Sequence, residues 1–290
     1  MSAAVEGGEA SAGAGRDAEG TLGGAGAEVS RDMVEKLLRE GELTVEGRLT
    51  EASNATLYCR VELDGESLTC VYKPVAGERP LHDFPDGTLA ARELAAYAVS
   101  EAAGWHIVPR TIERDGPFGP GMCQQWIEES DLSAAVTVLK DLRSAAAEQW
   151  CPILAVQLSD GSDGVLAHHD DAALRRIALF DAVVNNADRK GGHLLPLADG
   201  TVLGIDHGLT FHTEDKLRTL LWGFADRGLE PRERVELEKL RGDEQLAARL
   251  AELLSPRELT AFRDRIDALL EVGVLPGPDG RRRPVPWPPI

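Results

Sequence analysis

The chain has 290 residues, 43% of them hydrophobic and 28% charged, with a formal net charge of −18. These are ordinary values for a globular chain long enough to bury one large core or two modest ones. The acidic excess repels nucleic-acid backbones and anionic lipid, and no apolar run approaches the ~20 residues of a membrane helix, which argues against nucleic-acid binding and stable membrane insertion. Cys59, Cys70, Cys123 and Cys151 form no CxxC pair, and the start of the chain lacks a basic and apolar leader. A reduced, cytoplasmic protein is the expectation.

Residues 1–29 are mostly Ala, Gly and acidic residues with almost nothing large and apolar. Such a segment cannot offset its ordering entropy, so it is expected to be a disordered tail. A short helix is predicted after Ser30, with Val34, Leu37 and Leu38 on one face. Strands are predicted over Leu43–Leu49, Ala55–Leu63 and Ser67–Tyr72, with Asp64-Gly65 as the hairpin turn between the last two. A helix over Thr88–Ala103 is closed by Gly104. Two more strands follow over Ile107–Ile112 and Gly121–Ile127, so residues 30–128 read as a small antiparallel-sheet lobe with a helix against it.

From Leu132 onward helical signals are expected to dominate, and residues 129–273 read as a second, mainly helical lobe. Asp170–Val184 is an amphipathic helix with Asp170 or Asp171 at its N-cap. Leu194–Leu197 and Thr201–Ile205 should pair across Asp199-Gly200. Ser255-Pro256-Arg257-Glu258 is a capping box with proline at the first helical position, and that last helix should stop at Gly273. Residues 274–290 hold six prolines and should be extended. Neither this tail beyond Pro276 nor residues 1–29 offers an obvious core, so both are expected to be dispensable for the chemistry of the rest of the chain.

Two loops carry the chemistry. The first reads Asn185-Asn186-Ala187-Asp188-Arg189-Lys190-Gly191-Gly192-His193, and the second Gly204-Ile205-Asp206-His207-Gly208, with Asp206 eighteen residues after Asp188. Phosphoryl transfer needs such a pair of acids: one to orient or deprotonate the attacking hydroxyl, one to hold metal on the nucleotide phosphates. Lys73 closes a predicted strand, where a kinase needs a lysine for the phosphates. Glu93 lies 20 residues downstream in a largely apolar helix, where a buried carboxylate requires a partner; Lys73 is the natural one, and Glu101 the lesser alternative. The run His168-His169-Asp170-Asp171 does not have metal-ligand spacing.

Asn186-Ala187-Asp188-Arg189 and Gly204-Ile205-Asp206-His207-Gly208-Leu209-Thr210-Phe211 resemble the catalytic and metal loops of the phosphatidylinositol 3/4-kinase-like superfamily. The likeness is strongest to the type II phosphatidylinositol 4-kinases, their bacterial relatives and the HipA-type kinases, and it spans roughly residues 44–225. It implies an α+β, bilobal, protein-kinase-like fold and an ATP-dependent phosphotransferase using Mg²⁺ or Mn²⁺. The acceptor would be a hydroxyl on a lipid, a protein Ser/Thr or a small molecule. Asp188 is then the catalytic acid–base residue and Asp206 the metal ligand. Ser53 and Asn54, in a turn of small residues, cover the phosphates or form a plain hairpin. Gln125 and Ile127 fit a hinge whose backbone binds adenine, although Trp126 between them is equally a core residue. Lys190 stands where relatives place a histidine facing the γ-phosphate, and is either its electrostatic substitute or a solvated charge. His193 replaces the second metal-binding asparagine, and an imidazole there favours Mn²⁺ over Mg²⁺. His207 is expected to support its loop. The departure at His193 leaves open an alternative, a nucleotide-binding pseudokinase that regulates a partner.

Overall fold

In the computed structural model, residues 30–49, 55–79, 81–84, 88–128, 131–140, 149–280 and 283–290 are described. The readings for residues 1–29, Ser53 and Asn54 fall outside them. Helix α1 (Arg31–Glu40) starts where the Ser30 hydroxyl accepts the Met33 amide, and it buries Val34, Leu37 and Leu38. These side chains meet one face of a five-stranded antiparallel sheet built from β1 (Glu42–Arg48), β2 (Leu57–Leu63), β3 (Glu66–Pro74), β4 (Thr111–Gly116) and β5 (Gly119–Gln125), in the order β1-β2-β3-β5-β4. Asp64 and Gly65 join β2 to β3 with φ of 54° and 87°, the left-handed pair that a tight hairpin requires.

Side chains alternate across this sheet. Cys59, Val61, Cys70, Tyr72, Ile112 and Cys123 pack on α1, whereas Met122 packs on the opposite side with Ala90 and Leu94 of α2 (Leu89–Ala102). Helix α2 closes before Gly104, at φ 70°. The strand expected from Ile107 begins only at Thr111. The Ser100 hydroxyl accepts the Ile107 and Val108 amides, and both side chains enter the larger core instead of the sheet.

The helical expectation after Leu132 needs correction. Strands β6 (Val136–Leu139), β7 (Trp150–Gln157) and β8 (Asp163–His169) form an antiparallel sheet in the order β6-β8-β7. Gly164, Leu166 and His168 point inward at period two, a strand pattern carried by residues too small or polar to register as an apolar stripe. Helix α3 (Ala172–Val184) follows, capped by Asp171, whose carboxylate accepts the Leu174 amide. A short hairpin of β9 (Leu194–Pro196) and β10 (Val202–Gly204) precedes α4 (Pro231–Gly242), α5 (Glu244–Leu253) and α6 (Pro256–Val272). The capping box of Ser255 and Glu258 opens α6 as expected, and Gly273 closes it at φ 75°.

Phe180 and Ile177 of α3 share one core with Leu237, Leu250, Phe262 and Ile266 of the last three helices. Leu275 and Val285 belong to it too, so the extended segment after Gly273 is packed, contrary to its reading as a tail without a core. Prolines remove backbone donors but do not keep the apolar residues among them out of a groove. The architecture is α+β, with a small sheet lobe and a mainly helical lobe. Among the described residues no helix is long and apolar enough to cross a membrane.

Candidate active site

The pleat of β3 sends Tyr72 toward α1 and therefore Lys73 toward α2, where Glu93 is 1% exposed. The Lys73 Nζ donates to Glu93 Oε1 at 2.6 Å and to Asp206 Oδ1 at 2.9 Å. Burial alone would lower the Lys73 pKa, but the Asp206 and Glu93 carboxylates outweigh it and raise it above the usual lysine range. The same ammonium holds Asp206 well below the usual carboxylate range. The second Glu93 oxygen accepts the His207 amide at 2.9 Å, so one buried carboxylate ties the sheet lysine to the loop after Asp206. Glu101, the alternative partner, instead pairs with Arg31 and Arg110.

Asp206 follows β10 with φ 59°, a left-handed backbone that a non-glycine residue adopts only under constraint. That turn leaves its carboxylate half exposed. Asp188 sits on the loop after α3, which is pinned from several sides. Asn185 closes the helix at φ 56° and donates to the His212 and Glu214 carbonyls. The buried Asn186 accepts the Asp188 amide at 3.0 Å through Oδ1 and donates to Asp181 at 2.9 Å. The Lys190 Nζ lies 3.1 Å from Asp188 Oδ2.

Beneath these groups is a pair that the sequence reading did not single out. Arg189 and Asp181 have side chains with no exposure at all, and the guanidinium donates to both Asp181 oxygens at 2.9 Å. It also donates to the carbonyls of His193 and Ile205 and to His207 Nε2, joining the loop of Asp188 to the loop of Asp206. The available signal was an acid inside the apolar stretch Leu179-Phe180-Asp181-Ala182-Val183-Val184. Burial, reinforced by Arg189, drives the His207 pKa well below its usual value. His207 is therefore neutral, accepts at Nε2 and supports its loop.

His193 brings Nε2 to 3.5 Å from Asp206 Oδ2, and its buried Nδ1 has no hydrogen-bond partner. Burial lowers its pKa and keeps the imidazole neutral. Lys73, Glu93, Asp188, Lys190, His193 and Asp206 all line one cleft of about 270 Å³, with Thr56 and Gly208 also on its wall. Gln125 and Ile127 do not line it. The Gln125 amide donates to the Arg110 carbonyl, and the Trp126 ring packs edge-on against Tyr58 at 5.3 Å. His168 accepts the Gly223 amide, and the described residues contain no cluster of three or more metal-ligating side chains. Of the acids on the cleft wall, Asp206 is the one beside an imidazole, the neutral His193. That donor set suits an ion that takes its remaining ligands from phosphate and water.

The strand lysine paired to a helix carboxylate and the two acidic loops thus meet in one cleft of an α+β protein. No protein-family model matches the chain. The chain belongs to the family of Protein Rv2133c of Mycobacterium tuberculosis, to which it is 48% identical over 270 residues, covering 89% of this chain and 96% of that protein. Among solved structures, the Helicobacter pylori proinflammatory kinase CtkA aligns with a TM-score of 0.42 and 10% identity, over 82% of this chain and 94% of that one.

Proposed function

We propose that the protein is an ATP-dependent phosphotransferase that moves the γ-phosphate to a hydroxyl acceptor. The observation that carries this reading is the placement of Lys73 between Glu93 and Asp206 in the cleft that also holds Asp188. Lys73 is a fixed cation for nucleotide phosphates, and its bond to Asp206 is the one a bound nucleotide and ion would share or replace. Asp206 and His193 would hold a divalent ion, which supplies charge neutralisation on the phosphates. Asp188 faces the cleft from a loop braced by Asn186 and Arg189, suited to orienting a hydroxyl and taking its proton. Lys190, 3.1 Å from Asp188, adds a second cation on the side where transferred charge develops. Ser53 and Asn54 would contribute from the segment between β1 and β2, and Ile127, just beyond β5, would supply a backbone contact for adenine, whereas the Gln125 amide is already committed to the Arg110 carbonyl.

The test is transfer from γ-labelled ATP, with Mg²⁺ and with Mn²⁺, offered lipid, protein and no added acceptor. Label on any acceptor supports the reading, and faster transfer with Mn²⁺ supports ligation by His193. ATP binding without transfer under every condition would favour the second reading, a nucleotide-binding pseudokinase, for which His193 in the second-metal position is the motivating feature. Absence of ATP binding would overturn both.

A further inference from the structure

Residues 283–290 run from the segment 219–222 to the loop that carries Asp188. The Pro284 carbonyl accepts the Thr219 amide at 3.2 Å and the Trp222 indole N–H at 2.9 Å, while the Val285 side chain is buried in the main core. Five residues beyond Pro284, the chain reaches the catalytic loop itself, where the Pro289 carbonyl accepts the Gly191 amide at 2.8 Å. A methyl group added at Gly191 would lie 3.3 Å from Ile290 Cγ1 and 3.4 Å from Leu220 Cδ1. The bare backbone at Gly191 therefore leaves room for Pro289 and Ile290 to lie against the loop, where a side chain would be tight.

The rest of the loop shows why this contact matters. Arg189 is fixed by its amide bond to the Arg218 carbonyl and by its buried side chain, and Ile205 donates its amide to the His193 carbonyl. Between those anchors, Lys190, Gly191 and Gly192 include two glycines, the residues with the most backbone entropy to lose. Among the described residues, the backbone hydrogen bond that ties this stretch to a segment outside the loop is the one to Pro289. The stretch carries Lys190 toward Asp188 at one end and leads to His193 facing Asp206 at the other.

We propose that residues 284–290 are a positioning element of the catalytic loop, with Pro284 and Val285 as the anchor and Pro289 and Ile290 as the clamp on Gly191. The proposal rests on the phosphotransferase reading of the cleft. The segment does not line the cleft and is given no contact with nucleotide or acceptor. It acts by holding Lys190 and His193 at their distances, so its loss should reduce turnover while leaving the Lys73 contact to ATP in place.

The experiment compares the intact chain with one ending after Pro288, which keeps the Pro284 and Val285 anchor, and with Ile290→Leu and Ile290→Asp. Three readouts are taken: hydrogen exchange of the Gly191 amide, the Kd for ATP and the rate of γ-phosphate transfer. In the shortened chain and in Ile290→Asp, Gly191 exchange should rise and turnover fall about tenfold, with Kd changed less than about twofold, while Ile290→Leu behaves as the intact chain. Unchanged Gly191 exchange, or faster exchange with unchanged turnover, would overturn the proposal. If the intact chain transfers no phosphate, the phosphotransferase reading fails on that result alone. The exchange of Gly191 then still decides whether the segment holds the loop.

Discussion

Two cation–carboxylate clusters lie one above the other in this molecule, and they differ in their access to water. Arg189 and Asp181 are entirely enclosed, and the guanidinium also donates to two carbonyls and an imidazole. Lys73 shares its ammonium between the buried Glu93 and Asp206, whose side chain is 50% exposed. A buried charge network with every partner in place has nowhere to go, because each broken bond leaves a charge without solvent. The Lys73–Asp206 contact opens on the cleft, where water, phosphate or an ion can replace either partner. The enclosed pair acts as the frame, and the open pair is where a ligand exchanges bonds.

The comparison breaks first at Arg189. Arg189→Met strands the Asp181 carboxylate inside the core and should lower the unfolding free energy by about 3–5 kcal/mol, read as a lower urea midpoint. Asp181→Leu combined with Arg189→Met should recover much of that loss. A single variant as stable as the parent would show that the pair is not the frame. Lys73→Ala should do the reverse. ATP affinity should fall tenfold or more, on the order of one charge-assisted hydrogen bond, while stability falls by less than in Arg189→Met, because the Glu93 left behind keeps the His207 amide and borders the cleft. A loss of stability equal to that of Arg189→Met would erase the distinction between the two clusters.

A smaller effect concerns acid. His168 is buried in β8, where its Nε2 accepts the Gly223 amide and burial lowers its pKa below the usual histidine range. The folded state then binds fewer protons than the unfolded one below about pH 6.5, so stability is fully present above that pH and lost as pH falls through the depressed value. His193 and His207 are shifted in the same direction. Thermal melts from pH 7.5 to 5 should show declining stability starting near 6.5. His168→Gln, which keeps an acceptor, should flatten part of that slope. An unchanged slope would mean that His168 is protonated in the fold or that it titrates alike in both states.

What the chain disclosed in advance follows from how local each signal is. The Asp64-Gly65 hairpin, the Asp171 cap and the Ser255–Glu258 box depend on neighbours within four residues, and the structure shows all three. Lys73, Glu93, Asp188 and Asp206 could be listed because a strand end, an apolar helix and two glycine-rich loops set the spacing between them; the structure brings them into one cleft. Arg189 could be read only as part of the Asn-Ala-Asp-Arg run, since nothing nearby in sequence shows that Asp181 is the acid it meets eight positions back. The sheet of β6, β7 and β8 was obscured because Gly164 and His168 carry little apolar signal for the inward face of β8. Residues 284–290 resisted reading for a related reason: their partners, Thr219, Trp222 and Gly191, lie at least 62 residues away in the chain.

The most direct test of the account is Asp188→Asn, with ATP affinity and γ-phosphate transfer measured side by side on the same preparation. The substitution removes the proton acceptor but preserves side-chain shape, and Asp188 makes no contact with Lys73 or Glu93 among the bonds that hold the cleft. The account predicts an unchanged Kd and a turnover lower by about 10²- to 10⁴-fold, the usual contribution of a positioned acid–base group. Unchanged turnover in Asp188→Asn, measured against an active parent, would contradict it.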